Sequence, residues 1–275
     1  MNHPNLILGC GYLGLRVAKA WLAAGTLVAA VTRSRSDELR QAGVTPIPGD
    51  VLDPASLSFP PIRTVLYAIG LDRRAGRSMR EVYVDGLRNV LTALGPVDRF
   101  IYISSTSAFG QTDGSWVDET SPTEPLEESG RVVLEAERTL REFRPDAIIM
   151  RFAGIYGPNR ILRRDSLLRG EPVLGDADRF LNLIHVDDGV RAVLAAEAKG
   201  QPGETYLIAD DEPPTRRAFF SATAEMLNAP VPTFLPAASA EPEANRRIRN
   251  AKAKRELGFA PRYPSFREGL AACLG

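Results

Sequence analysis

The feature that most constrains this chain is the string Leu6-Ile7-Leu8-Gly9-Cys10-Gly11-Tyr12-Leu13-Gly14. A short apolar run enters glycines at 9, 11 and 14, and a helical pattern (Leu13, Val17, Ala20/Trp21, Ala24) follows at once. That order reads as a strand, a tight turn and a helix start. One glycine relieves the turn, a second lets the backbone approach a pyrophosphate, and the third lets helix and strand pack closely. The free N–H groups of the first helical turn, with the positive end of its dipole, then face phosphate. A dinucleotide site containing Gly9, Gly11, Tyr12, Leu13 and Gly14 is expected. The alternative is a glycine turn with a structural role only.

Gly25 is a natural C-cap for this helix, and Leu27–Thr32 reads as the second strand. At its end, where a carboxylate would hold the ribose hydroxyls of NAD, stands Thr32-Arg33-Ser34-Arg35. A carboxylate repels a 2′-phosphate, whereas guanidinium and hydroxyl groups bind it. Thr32, Arg33 and Ser34 therefore point to NADP, with NAD as the alternative. These polar residues also fit a plain solvated loop.

Val44–Ile47, Thr64–Ile69, Phe100–Ile103 and Ala147–Met150 continue the strands, and Met79–Leu94 reads as a helix. Strands alternating with helices in this rhythm give an α/β fold with a doubly wound parallel sheet of the Rossmann kind. Ligands sit at the carboxyl ends of such strands. Gly9, Arg33, Asp50, Gly70 and Ser105 all fall there. Asp50 is placed to accept from an adenine amine, and Val51, Ala68 and Ser104 join the expected cofactor contacts.

After residue 152 the chain changes character. Proline-bearing loops separate shorter elements, with strands at Phe180–Val186 and Thr205–Ala209 and helices after Asp187 and Thr215. Pro236–Asn245 reads as a flexible loop, and Asn250 as the cap of a helix ending at Gly258. The expected organisation is a Rossmann domain over 1–152 and a smaller C-terminal substrate lobe over 153–275, part of which (about 180–210) returns to the Rossmann core. Thirty-four basic residues balance thirty-four acidic ones, which argues against nucleic-acid and membrane partners. The longest apolar-leaning piece, Trp21–Val31, is interrupted by Gly25 and Thr26 and is too short to span a bilayer. The opening residues lack a leader pattern, and two cysteines, Cys10 and Cys273, make no disulfide framework. A cytoplasmic protein is expected, with Cys10 a small turn residue.

Several strings together resemble the extended short-chain dehydrogenase/reductase superfamily, in its atypical NAD(P)-binding epimerase/dehydratase-like branch. They are the glycine string, Tyr102-Ile103-Ser104-Ser105-Thr106-Ser107-Ala108-Phe109-Gly110, Arg151-Phe152-Ala153-Gly154-Ile155-Tyr156-Gly157-Pro158, Asn182-Leu183-Ile184-His185-Val186-Asp187-Asp188, and the closing Arg262–Leu270. They cover nearly the whole chain in the family's order. The resemblance implies an oxidoreductase or epimerase-like protein acting on a small polar substrate derived from a sugar or nucleotide.

The resemblance also implies a catalytic Ser or Thr, here Ser105, and a Tyr with a Lys four residues later that lowers its pKa. Those two positions are Ser129 and Val133. Serine is too weak an acid and valine carries no charge, so the pair is missing. Val133, Ala136, Leu140 and Phe143 follow one helix face, which makes Val133 a core residue. Tyr83, Tyr102 and Tyr156 remain as replacement acids. Tyr156, Arg160, Arg179 and His185 are the candidates to meet substrate. One histidine beside Asp187 and Asp188 gives no metal-ligand spacing. A catalytically silent NADP(H)-binding regulator or redox sensor is the competing expectation, and a homodimer is left open.

Overall fold

A computed structural model describes residues 3–236 and 243–274. The first half runs β1 (Asn5–Leu8), α1 (Gly14–Ala23), β2 (Val28–Thr32), α2 (Ser36–Gln41), β3 (Thr45–Pro48) and β4 (Thr64–Tyr67). Next come α3 (Gly86–Ala93), β5 (Arg99–Ser105), β6 (Trp116–Val117), α4 (Glu128–Phe143), β7 (Ile148–Phe152) and β8 (Gly154–Tyr156). The remainder holds α5 (Arg164–Leu168), β9 (Val173–Leu174), β10 (Leu183–His185), α6 (Val186–Lys199) and β11 (Thr205–Ile208). It closes with α7 (Arg216–Met226), β12 (Phe234–Leu235), β13 (Arg247–Ile248) and α8 (Phe266–Leu274).

Seven strands form one parallel sheet in the order β11-β7-β5-β4-β1-β2-β3. Every residue of β1 and β4 is buried, as expected of parallel strands covered on both faces. Ile7 lies opposite Ala30 of β2 on one side and Leu66 of β4 on the other. The chain leaves β1 toward β2 and β3, then crosses to β4, β5, β7 and β11. The reversal opens a crevice outside the carboxyl ends of β1 and β4, where such folds bind ligands.

Two apolar layers flank the sheet. In one, α1 buries Val17, Ala18 and Trp21 against α6, and the Trp21 indole donates to Glu197 of α6. In the other, α3 and α4 cover the sheet with Leu87, Val90, Val132, Ala136 and Leu140. A third cluster, with Phe219, Phe220, Phe266 and Leu167, forms the core of the C-terminal elements.

Several boundaries differ from the sequence reading. The second strand starts at Val28, since Leu27 is exposed. Met79–Leu94 contains a π-helical turn at Glu81–Asp85 ahead of α3. Such a turn inserts one extra residue and re-aims the side chains around it. Phe180–Val186 is not one strand: only Leu183–His185 pairs, with β8 in a separate two-stranded sheet, and Phe180 makes an isolated bridge to Thr215. Phe143 leaves the buried face of α4 and lies exposed beneath the Arg88 guanidinium. Asn250 directly precedes a helical segment over 251–257 and its carbonyl accepts the Lys254 N–H, as expected of a cap position, but its side chain is used elsewhere. Its amide donates to Ala209 O and Asp211 Oδ1, tying the chain after β11 to the following segment. Gly258 does end that segment, in the left-handed region at φ 65°. Of the loop Pro236–Asn245, residues 237–242 lie outside the described residues.

Candidate active site

A cleft of about 760 Å³ occupies the crevice and is lined from the ends of β1, β2, β3, β4, β5 and β7. The glycine turn forms its floor, and each glycine there has a separate steric reason. Gly9 has φ 93°, and a Cβ on it would lie 2.4 Å from the Ala68 backbone. A Cβ on Gly14 would lie 2.4 Å from the Gly9 carbonyl oxygen, so helix and strand pack in contact. A Cβ on Gly11 would meet nothing within 4 Å. That open space belongs to the cleft. The N-cap of α1, Leu13, supplies no capping side chain. The Leu15 and Arg16 N–H groups bond back to the carbonyls of Gly11 and Leu13, which leaves the N–H groups of Tyr12, Leu13 and Gly14 for an anion.

Cys10 is buried, and burial pushes its thiol up to about 11 against the opposing pull of Arg35. It is a turn residue with no nucleophilic character. At the end of β2 the two arginines differ. Arg35 is committed: its guanidinium pairs with Glu38 and donates to Cys10 O at 3.0 Å. Thr32 is also engaged, its Oγ1 accepting the Arg35 N–H at 2.9 Å. Arg33 and Ser34 are exposed on the cleft wall. Asp50 and Val51 line the same end, with one Asp50 oxygen accepting from Leu52 N at 3.0 Å. Ala68 and Gly70 line the middle.

At the other end stand Ser104, Ser105, Tyr83, Tyr102 and Val133. Ser104 lines the cleft with its hydroxyl proton engaged, donating to Glu137 Oε1 at 2.5 Å. Ser105 Oγ accepts the Ser107 N–H at 3.1 Å, which leaves its own proton free to donate. Tyr83 is placed likewise, its hydroxyl oxygen accepting from Leu71 N at 3.0 Å. Tyr102 is buried, and burial raises its phenol far above the ordinary range, so it stays neutral. Val133 is buried and forms part of the wall, while Ser129 lies outside the lining and donates to Glu127 at 3.2 Å.

Three of the four expected substrate contacts are not in this cleft. Tyr156 is 1 % exposed, packed among Phe219, Phe266 and Leu270, because it ends the short strand β8 inside the C-terminal core. Burial raises its phenol well above the ordinary range. His185 is equally buried, edge-on to Tyr156 and 4.3 Å from the Tyr263 ring. Its Nδ1 accepts the Asp187 N–H at 3.2 Å, so it caps α6, and burial lowers its pKa. Arg179 pairs with Glu243 and lines a second, smaller pocket. Arg160 does line the cleft, in a tight turn that Tyr12 holds by donating to Pro158 O at 2.9 Å. Periodicity cannot show that a string of matching residues faces inward. Tyr83, one of the three replacement acids, does line the cleft, whereas the Glu137–Arg151 pair is not visible from the sequence because it joins α4 to β7.

A family model described as the NAD dependent epimerase/dehydratase family matches residues 5–209. The chain belongs to that family. It is 29% identical over 268 residues to Protein YeeZ of Escherichia coli, covering 94% of this chain and 95% of that one. Among solved structures, MoeE5 in complex with UDP-glucuronic acid and NAD aligns at a TM-score of 0.82 with 26% identity, covering 98% and 97% of the two chains. The UDP-glucose 4-epimerase of Thermotoga maritima shares the fold at a TM-score of 0.83 with 23% identity, over 98% and 97%. The extended short-chain dehydrogenase/reductase resemblance and the doubly wound α/β fold both stand on these findings together with the sheet order. Family membership makes this a protein of NAD(P)-binding oxidoreductase or epimerase-like type. Among the described residues no helix is long and apolar enough to cross a membrane.

Proposed function

We propose that the cleft binds a nicotinamide dinucleotide, NADP(H) in preference to NAD(H), and that the protein carries out redox or epimerase-like chemistry on a small polar substrate. One observation carries this reading. The glycine turn brings an uncapped helix start to the point of strand reversal and leaves open space above Gly11. MoeE5, a relative with NAD in its structure, supports the cofactor class.

In this reading Gly9, Gly11, Tyr12, Leu13 and Gly14 hold the pyrophosphate. Arg33 and Ser34, with Thr32 bracing the turn, meet a 2′-phosphate. Asp50, Val51, Ala68 and Gly70 bound the adenosine half, and Ser104 fixes the β5 end. A nicotinamide, when bound, would supply or accept a hydride, and the substrate is expected at the Ser105 end. There the chain offers the Ser105 and Tyr83 hydroxyls as proton donors to a substrate oxygen, and Val133 keeps water from that wall. Residues 1–152 carry the cofactor and most of 153–275 shapes the substrate side, with the segment through β11 returning to the sheet. Calorimetry with NADPH and NADH, followed by NADPH oxidation against a panel of carbonyl compounds, tests this. Absence of dinucleotide binding ends it.

A second reading has its own observation. Val133 and Ser129 stand where a lysine and a tyrosine would do the chemistry, so the family's usual proton relay is absent. A protein that binds NADPH tightly and turns over no carbonyl compound fits a silent sensor instead.

A further inference from the structure

Beyond Ser105 the chain turns through Thr106 and Ser107 into a second pocket of about 230 Å³, walled on its far side by Arg179, Asn182 and Arg246. Pockets for drug-sized ligands begin at roughly 300 Å³. This one therefore takes a head group and a few carbon atoms, not a nucleotide.

Arg246 is the unusual element. One guanidinium nitrogen, Nη2, donates to Thr106 O at 2.6 Å. Its Nε is buried without a hydrogen-bond partner, and among the described residues no carboxylate lies within ion-pair distance of it. Burial lowers its pKa to about 10, with Glu127 opposing that shift. It nevertheless stays charged at neutral pH. Glu127 lines the same pocket and its charge reaches Arg246, but the two form no ion pair. Arg179 is spent on Glu243 at 2.5 Å. Asn182 is spent on the backbone, donating to Arg246 O at 2.9 Å and accepting from Ile248 N at 2.7 Å. The latter pair fixes the strand that carries Arg246. A largely buried guanidinium with no ion-pair partner among the described residues is costly to maintain, and its fork matches a carboxylate or a phosphate.

We infer that this pocket seats an anionic group, a carboxylate or phosphate on a small substrate, with Arg246 as its main partner. The inference rests on the reading of the adjoining cleft as the reaction site. It narrows the substrate class to compact anions whose reacting carbon lies toward Ser105.

The test needs no cofactor. Inorganic phosphate and acetate are titrated separately into the full chain at constant ionic strength, with binding read by calorimetry and thermal melting. Saturable binding of at least one probe is expected, weakened tenfold or more by Arg246→Met, with NADPH affinity within twofold of wild type. Ala244→Phe fills the pocket from a different wall without removing charge and should weaken the anion equally. If Arg246→Met fails to fold, Ala244→Phe decides alone. Absence of saturable binding in wild type, or wild-type anion affinity in a folded Ala244→Phe, overturns the inference and leaves Arg246 as a clamp on the Thr106 carbonyl. Loss of the cofactor reading shows separately, as a wild type that binds anion and no NADPH.

Discussion

Arg151 on β7 grips the carboxylate of Glu137 on α4 through two hydrogen bonds, Nε to Oε1 at 2.9 Å and Nη2 to Oε2 at 2.7 Å. The two side chains are only 10% and 8% exposed, and Ser104 adds a third bond to the same carboxylate. This pair sets the rotation of α4 about its axis. Val133, one turn earlier, is thereby turned into the cleft wall. Removing one partner of a buried pair leaves an uncompensated charge, which costs about 3–5 kcal/mol. Glu137→Ala should lose that much in urea unfolding, and Glu137→Ala with Arg151→Met should recover part of it. A single variant as stable as wild type means the pair does not hold α4.

The glycines separate folding from binding. Gly11→Val should fold, since its Cβ meets nothing within 4 Å and its φ is not positive. It should bind NADPH at least tenfold more weakly, because the branched side chain occupies space in the cleft. Gly14→Val should fail at folding, with its Cβ 2.4 Å from the Gly9 carbonyl oxygen. Circular dichroism and calorimetry together check both. A folded Gly11→Val with wild-type NADPH affinity removes the pyrophosphate assignment.

Cofactor choice should divide unequally between two arginines. Arg33 has no ion-pair partner among the described residues, whereas Arg35 is tied to Glu38 and to Cys10 O. A charge-assisted hydrogen bond is worth roughly 1.5–3 kcal/mol. Arg33→Ala should therefore reduce the NADPH-over-NADH preference about tenfold or more, and Arg35→Ala should reduce it less. A wild type that prefers NADH makes both residues solvated loop.

These predictions divide along what the sequence could show. The glycine spacing, the apolar strands and their alternation with helices were legible because each is a local consequence of backbone geometry. So was Gly25, which has φ 77° after α1. Which way a residue faces after the sheet ends was not. Tyr156 and His185 sit in strings that look like cleft residues, yet β8 and β10 pair with each other and turn both inward. Arg246 carries no expectation from the sequence, and only the fold shows its Nε buried, with Nη2 on the Thr106 carbonyl and the Asn182 amide on its backbone carbonyl.

Stability should fall as pH rises because of Asp210. This carboxyl is 1 % exposed with neither oxygen hydrogen-bonded, and its pKa is raised well above the usual value by burial, then by Asp211, Asp188, Glu212 and Glu268. The native state thus holds a proton that the unfolded chain releases near pH 3.9. The stabilisation is complete below that pH and is lost progressively toward the folded-state pKa. Asp210→Asn cannot ionise. Its unfolding free energy should decline less steeply than that of wild type between about pH 5 and 8, measured by urea melts in steps. Equal slopes would show that Asp210 ionises in the fold.

The last prediction concerns the missing pair. Val133 lines the cleft and Ser129 precedes it by one helical turn on α4. The double change Ser129→Tyr with Val133→Lys puts a phenol and an ammonium four residues apart on one helix face. Positioned acid–base catalysis contributes on the order of 10²–10⁴ in rate, so a variant with both groups should reduce carbonyl compounds that wild type leaves untouched. The new lysine would be buried before cofactor binds, and a lower melting temperature is expected with it. NADPH should restore part of that loss by mass action. Among the described hydroxyls in the same region, Ser104 is held by Glu137 and Tyr102 is buried, which leaves Ser105 and Tyr83 as the donors the wild-type protein presents. Ser105→Ala and Tyr83→Phe, made together, should abolish whatever turnover wild type has while leaving NADPH affinity within a few fold. Turnover that survives both changes would place the proton donor elsewhere in the cleft, with Arg160 and its tight turn the next elements to vary.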